Sequence, residues 1–272
     1  MKLENTCSII TGGARGIGSC IAELIISKGG NVIIGDILDK EGQALVNLIN
    51  KSKGKKRAAY IHCDVTKLED IENLFKLATS EFGGAQILFN NAGVGEPPYP
   101  HVNFKKSMLT LNVNLVAVYQ ATLLAKQHFD SQLKLDPSKQ FCIMNTGSFS
   151  GSKPCIEFPY YSFSKNAVLN FTQIVSQLKW KNIRVNCIAP SFATFLLETD
   201  IIKREASNIE KIMPLLKPEF VAESMLELIE DPNANGIVKV LEIDGNFIAP
   251  KIQMTSVRSE LNKYAIKNKS KL

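Results

Sequence analysis

The 272-residue chain contains no CxxC pair, although six cysteines (Cys7, Cys20, Cys63, Cys142, Cys155 and Cys187) are scattered along it. That scatter argues against a disulfide framework and for a reducing compartment. Histidine is scarce. His62, His101 and His128 form no HExxH or similar spacing, and the adjacent His62-Cys63 alone cannot complete a metal site, so no metal is expected. No uninterrupted apolar run approaches the roughly 18–20 residues of a membrane span. No secretory leader is expected either, because Lys2 and Glu4 lead almost directly into a strand-like run at Cys7–Thr11. Acidic residues are nearly missing from the end of the chain. From residue 251 onward Lys251, Arg258, Lys263, Lys267, Lys269 and Lys271 face only Glu260, so five of the six net positive charges sit there. The remaining body is close to neutral, which speaks against a broad nucleic-acid surface.

What is present is an alternation of short apolar runs with amphipathic stretches, the pattern of βα units around a parallel sheet. Strands are predicted at Cys7–Thr11, Asn31–Asp36, Ala58–Cys63, Ile87–Asn91, Phe141–Asn145, Ile183–Ala189 and Val238–Ile243. Helical spacing marks Ile17–Lys28, Lys40–Lys51, Leu68–Phe82 and two longer stretches, Phe104–Gln132 and Tyr161–Lys179. No repeat or low-complexity linker divides this pattern. It reads as one α/β domain, residues 1–250, a Rossmann-like doubly wound parallel sheet, followed by a basic tail at 251–272. Residues 192–216 show no strand and suit either a mobile lid or a surface helix.

After the first strand comes Thr11-Gly12-Gly13-Ala14-Arg15-Gly16-Ile17-Gly18, opening a helix. Glycines at such a turn let the backbone approach a pyrophosphate, and the helix N-terminus offers it free N–H groups. Gly12, Arg15, Gly16, Ile17 and Gly18 are therefore candidate cofactor residues. The spacing is GxxxGxG, not GxGxxG. Asp36 ends the second strand 18 residues past Gly18. A carboxylate there accepts from adenosine ribose hydroxyls and repels a 2′-phosphate, which favours NAD over NADP; Arg15 argues the other way, and a plain turn-forming aspartate is the competing reading. Asp64 and Val65 follow the third strand and Asn90-Asn91-Ala92-Gly93 the fourth, both at carboxyl ends where open α/β sheets bind ligands. Asp64 suits the adenine amino group or a turn cap, Asn91 the cofactor, and Asn90 a tie between loops.

Tyr161-Ser162-Phe163-Ser164-Lys165 carries the chemistry. Residues four apart share a helix face, so the Lys165 ammonium is expected to lower the pKa of the Tyr161 phenol, which would then exchange a proton with a substrate hydroxyl. Tyr160 has no lysine four residues on.

TGGARGIG, Asp36, NNAG at 90–93, Ser148 thirteen residues before Tyr161, and YSFSK together resemble the short-chain dehydrogenase/reductase family, over about Thr6 to Gly245. Within it, LNVNLVAV, Asn186-Cys187-Ile188-Ala189-Pro190 and the late IEDPNANG run are most similar to the NAD-dependent 15-hydroxyprostaglandin dehydrogenase type. The resemblance implies a catalytic set of Ser148, Tyr161, Lys165 and Asn114. Ser148 would steady the substrate oxygen, Tyr161 and Lys165 would also contact the cofactor, Lys165 at the nicotinamide ribose, and Asn114 would hold a relay water, with Asn112 as competitor. It further implies a homodimer or homotetramer, formed through the two long helices. Several positions depart from the family pattern: Gly147 stands for a serine, Ser191 for a glycine, Phe195 for a threonine (Thr194 is adjacent) and Gln86 for an acid.

Phe158, Phe192, Phe195, Leu196 and Leu197 near the expected cleft suit a hydroxy-lipid or other hydrophobic secondary alcohol, though core packing is the competing reading. The final Ser270-Lys271-Leu272 matches a receptor-read peroxisomal address; cytoplasm is the alternative. The expected activity is NAD-dependent interconversion of a secondary alcohol and its ketone. A catalytically weak NAD-binding regulator and an NADPH-dependent carbonyl reductase are the competing readings.

Overall fold

A computed structural model of the chain describes residues 1–191, 215–242 and 245–252. Eight strands form one sheet: β1 Cys7–Thr11, β2 Asn31–Asp36, β3 Ala58–His62, β4 Ile87–Asn90, β5 Phe141–Thr146, β6 Ile183–Pro190, β7 Val238–Leu241 and β8 Phe247–Ile248. Their order is β3-β2-β1-β4-β5-β6-β7-β8. The pairings from β3 to β7 are parallel, and β8 alone is antiparallel, with Val240 opposite Phe247.

The central strands are apolar on both faces because both faces are covered. Neighbouring residues go to opposite layers: Ile10, Ile34, Phe89 and Met144 meet the helices of one face. Ile9, Ile33, Leu88 and Ile143 meet those of the other. The first layer holds α1 (Gly16–Ser27), α2 (Asp39–Lys53) and α8 (Pro218–Glu230), the second α3 (Leu68–Phe82), α5 (Ala117–Leu135) and α7 (Pro159–Ser176). The short α6 spans Phe149–Ser152. This is the doubly wound α/β sheet that the sequence predicts. Winding reverses at β1, flanked by β2 on one side and β4 on the other, so a crevice opens above their carboxyl ends.

Several elements differ from their sequence boundaries. The stretch predicted as one helix from Phe104 is α4 (Phe104–Leu111), a π-helical turn at Asn112–Val116, and then α5. By length and composition alone Phe104–Leu135 could cross a membrane. Here it is a layer of the fold, burying Val113, Ala117, Ala121, Ala125 and Phe129 against α3 and the sheet. Helix α7 begins at Pro159 and ends at Ser176, earlier than the predicted Lys179, and β7 ends at Leu241. Ile243 lies outside the described residues, as do the 192–214 part of the proposed lid and the tail from residue 253.

Helix α8, unassigned in the sequence reading, is held at its C-terminal end by cations. The Arg184 guanidinium donates to the carbonyls of Leu228 (2.9 Å), Ile229 (2.6 Å) and Ala234 (2.8 Å), and the Met1 ammonium to that of Ile229 (2.7 Å). These satisfy carbonyls that have no partner within the helix and complement its negative pole. The backbone around residue 250 is tied to the domain. The Gln173 amide donates to Pro250 O (3.0 Å) and accepts from Ile252 N (2.6 Å), fixing the backbone after β8 to α7.

Candidate active site

The glycine turn leaves β1 and enters α1 at the reversal point. Gly12 has φ +62°, and a Cβ there would lie 2.8 Å from Ala92 Cα. A Cβ on Gly18 would lie 2.2 Å from the Gly12 carbonyl oxygen, so α1 packs directly on the turn that precedes it. Three candidate cofactor residues, Asp36, Asn91 and Asp64, also hold the scaffold together. Asp36 is buried and accepts from Ala14 N (2.9 Å) and Leu38 N (3.1 Å), tying the end of β2 to the turn. Asn91 donates to Thr11 O (3.1 Å) and Gly12 O (2.9 Å), bracing the turn from β4. Asp64 accepts from Thr66 N (3.0 Å) and Oγ1 (2.7 Å). Burial pushes its pKa up, but these bonds and the Lys67 ammonium outweigh it and hold the carboxyl below the usual range. Val65 is buried beside it, Ile17 is buried in α1, and Arg15 is exposed at the helix start. Asn90 ties strands together, donating to Thr122 Oγ1 (3.2 Å) and Asn145 Oδ1 (2.9 Å).

These residues fit a nucleotide. A backbone turn that no side chain can fill, placed at a helix N-terminus with a carboxylate on the next strand, is a cradle for a pyrophosphate and a ribose. Gly12, Gly16 and Gly18 would shape the cradle and Asp36 would meet the ribose.

The proton-transfer residues come from β5, α6 and α7. Ser148 follows β5 as the N-cap of α6, accepting from Ser150 N (3.2 Å). Its hydroxyl lies close enough to the Tyr161 phenol to lower the phenol's pKa. A Cβ on Gly151 would lie 2.7 Å from Lys165 C, so the glycine allows α6 to lie against α7 and bring Ser148 to Tyr161. Glycine at 147 has a packing cause as well: a Cβ there would meet Leu169 at 2.5 Å and Cys187 Sγ at 2.9 Å. Lys165 is 4% exposed; its ammonium donates to Thr146 O (2.8 Å) and lies 5.9 Å from the centre of the Tyr161 ring. Asn114, on the π-helical turn, is fully buried. It accepts from Val94 N (2.8 Å) and donates to Val94 O (2.9 Å) and Ser164 Oγ (3.3 Å). Ser148, Tyr161, Lys165 and Asn114 thus converge beside the loop that follows β4.

One electrostatic expectation reverses. Burial pushes the Tyr161 phenol above its ordinary value, and the Ser148 hydroxyl acts against it; the lowering expected from Lys165 is not the governing effect. Burial likewise lowers the Lys165 ammonium from 10.5 to about 8, opposed by neighbouring Cys187. Between those values the folded lysine has shed a proton that the unfolded chain still holds, so wild-type stability gains with rising pH across that window. In Lys165→Met that gain, on the order of 3 kcal/mol, is expected to vanish. Thermal melts of both proteins from pH 7 to 10.5 measure it; parallel profiles would contradict the burial of the charge.

Sequence reasoning misses Glu96. Its Oε1 accepts from Tyr160 N (2.9 Å) and Tyr161 N (3.0 Å). The visible signal is that it is the single acid between Glu81 and Asp130. Of the proposed apolar lining, Phe158 is the N-cap of α7, whereas Phe192, Phe195, Leu196 and Leu197 lie outside the described residues. Gln86, in place of an acid, accepts from Cys7 N (2.7 Å) and donates to Gly84 O (3.1 Å).

Residues 6–206 match the model of a family described as short chain dehydrogenase. Momilactone A synthase of Oryza sativa subsp. japonica is 32% identical over 90% of this chain and 90% of its own length. Tropinone reductase-like 1 of Erythroxylum coca is 37% identical over 79% of this chain and 76% of its own. The human (Homo sapiens) 15-hydroxyprostaglandin dehydrogenase, named for NAD(+), is 27% identical over 88% of this chain and 91% of its own.

Proposed function

The chain belongs to the short chain dehydrogenase family, oxidoreductases that use NAD(P) and act on CH–OH groups, and from that premise we propose an NAD-dependent enzyme interconverting a hydrophobic secondary alcohol and its ketone. The observation that carries the reading is the meeting of Ser148, Tyr161 and Lys165 beside a turn shaped for a dinucleotide. A nicotinamide dinucleotide, when bound, supplies hydride exchange. The chain supplies the rest. Ser148 Oγ donates to the substrate oxygen and steadies charge developing there. Tyr161 Oη exchanges the proton. With its pKa raised by burial, Tyr161 carries its proton at neutral pH, the form that donates to a carbonyl oxygen. In the oxidising direction positive charge beside the ring favours the phenolate, and the Lys165 ammonium supplies part of it. Asn114 holds the post-β4 loop in place and, by its position next to Ser164, suits the relay role.

NAD preference rests on Asp36, whose carboxylate stands at the end of β2 and disfavours a 2′-phosphate. The name of the human relative supports the same cofactor and a lipid alcohol as substrate class. Exposed Met108, Val116, Tyr119, Leu123, Phe163 and Ile174 on α4, the π-helical turn, α5 and α7 support self-association through these segments as a dimer or tetramer. Ser270-Lys271-Leu272 supports a peroxisomal address read by an import receptor, with cytoplasm as the alternative.

The test is turnover of a panel of secondary alcohols with each cofactor, alongside calorimetric affinities. Wild type is expected to form NADH and to bind NAD at least about tenfold more tightly than NADP, and Asp36→Ala to narrow that ratio. Tighter binding of NADP by wild type would defeat the preference. Bound NAD with no turnover across the panel would favour a regulatory protein.

A further inference from the structure

The loop after β4 carries a carboxylate with a task outside the proton-transfer set. Helix α7 starts at Pro159, and its N-cap, Phe158, provides no side-chain acceptor. First-turn N–H groups have no partner within a helix and need one from elsewhere. Glu96 provides it from 65 residues away: a single oxygen, Oε1, accepts from both Tyr160 N and Tyr161 N. Its other oxygen is buried and has no hydrogen-bond partner among the described residues.

The N–H that Glu96 holds belongs to the tyrosine whose phenol meets Ser148. The remainder of the same loop is held just as firmly. Asn91 braces the Gly12 carbonyl, Asn114 clamps Val94 on both its N–H and its C=O, and Thr110 Oγ1 donates to Gly95 O at 3.4 Å. Beyond Glu96, Tyr99 N donates to Glu157 O at 2.8 Å, closing the loop onto the segment before α7. Six consecutive residues, 91–96, therefore join the nucleotide turn to the backbone of Tyr161.

We propose that Glu96 is a positioning residue: it fixes the start of α7 against the nucleotide turn and so sets where the Tyr161 phenol stands. This rests on the proton-transfer role assigned to Tyr161 above. Misplacement of a reacting group by about 1 Å costs on the order of 10²-fold in rate.

Three full-length variants separate placement from charge and from folding. Glu96→Gln keeps an acceptor oxygen at the same reach, Glu96→Asp keeps the charge but withdraws the oxygens by one methylene, and Glu96→Ala removes both. Using the best alcohol of the panel, Glu96→Ala and Glu96→Asp are expected to lower kcat about 10- to 100-fold with the Kd for NAD within about threefold of wild type. Glu96→Gln is expected to hold kcat within about threefold. Full activity in Glu96→Asp, or no better activity in Glu96→Gln than in Glu96→Asp, would overturn the proposal even if Glu96→Ala fails to fold.

A second readout needs no turnover. The Tyr161 ionisation is obtained as the alkaline absorbance difference at about 295 nm between each protein and its Tyr161→Phe counterpart. It is expected to match wild type in Glu96→Gln and to move by about half a pH unit or more in Glu96→Asp. An identical ionisation in all variants would refute positioning, whereas inactivity of wild type toward every alcohol would refute the proposed reaction and leave this readout intact.

Discussion

Tyr161→Phe is expected to lower kcat/KM for alcohol oxidation by about 10²–10⁴, the range that a positioned acid–base group contributes. The change removes one atom. Oη is the group that exchanges the proton, and its pKa is the one that the Ser148 hydroxyl lowers. The ring stays, so the shape of the crevice and the place of Lys165 near it stay as well. Dinucleotide affinity is expected to be unchanged, because the glycine turn, Asp36 and Asn91 are untouched. Stability is not expected to fall, since a buried phenol is exchanged for an apolar ring of the same size. Steady-state kinetics with titration calorimetry on both proteins provides the check. More than about a tenth of wild-type activity in the variant would move the acid–base role elsewhere. Tyr160, two-fifths exposed and next in the chain, would then be the residue to replace.

The second large effect falls on the nucleotide side. In Gly18→Ala the new Cβ would stand 2.2 Å from Gly12 O, 2.8 Å from Gly13 Cα and 2.9 Å from Asn91 Nδ2. Two of these three atoms are backbone, and the third belongs to a side chain already bound to the turn. Helix α1 must therefore shift away from the turn. Overpacking of this kind costs about 3 kcal/mol, equivalent to a fall in Tm of about 6–12 °C for a domain of this size. The affinity for NAD is expected to fall at least about tenfold, because the moved atoms are those that would face the pyrophosphate. Gly54→Ala is the control. Gly54 also has a positive φ (+62°) but open space around it, so its replacement is expected to cost about 1 kcal/mol and leave affinity alone. Equal affinity in Gly18→Ala and wild type would show that the turn is not the nucleotide cradle.

The sheet was legible because its strands are buried on both faces. Where every residue of a run must be apolar, as at Ile9-Ile10 or Leu88-Phe89, the run itself marks the strand. Helix α8 carries the same kind of signal, with Val221, Ala222, Met225, Leu228 and Ile229 following Pro218 at helical spacing and all five buried, yet no helix is assigned there from the sequence. Strand β8 was not legible, because two residues carry no periodicity and its pairing depends on neighbours far along the chain. In the site, residue types were readable and their divided duties were not. A carboxylate at the end of β2 suggests a ribose contact, but nothing local shows that the same group holds Ala14 N. The sign of the Tyr161 shift was missed for a related reason. Spacing of four gives the distance to a lysine, whereas burial is set by segments that fold over both. Glu96 acts on a helix 65 residues away, a relation no window of sequence contains.

The π-helical turn between α4 and α5 makes chain length a part of the site. A turn of this kind holds one residue more than an α-helical turn, and Asn114 sits within it, reaching both Val94 and Ser164. Losing a single residue there would turn it into an ordinary α-helical turn of about the same angular span, so the faces of α4 and α5 would keep their orientations while Asn114 lost the bulged backbone that carries it. What would be lost is the reach of Asn114 to Val94 and Ser164. A one-codon deletion in this segment is therefore expected to spare the helix layers and strike the Asn114 contacts, so chain length here bears on the site more than on the fold.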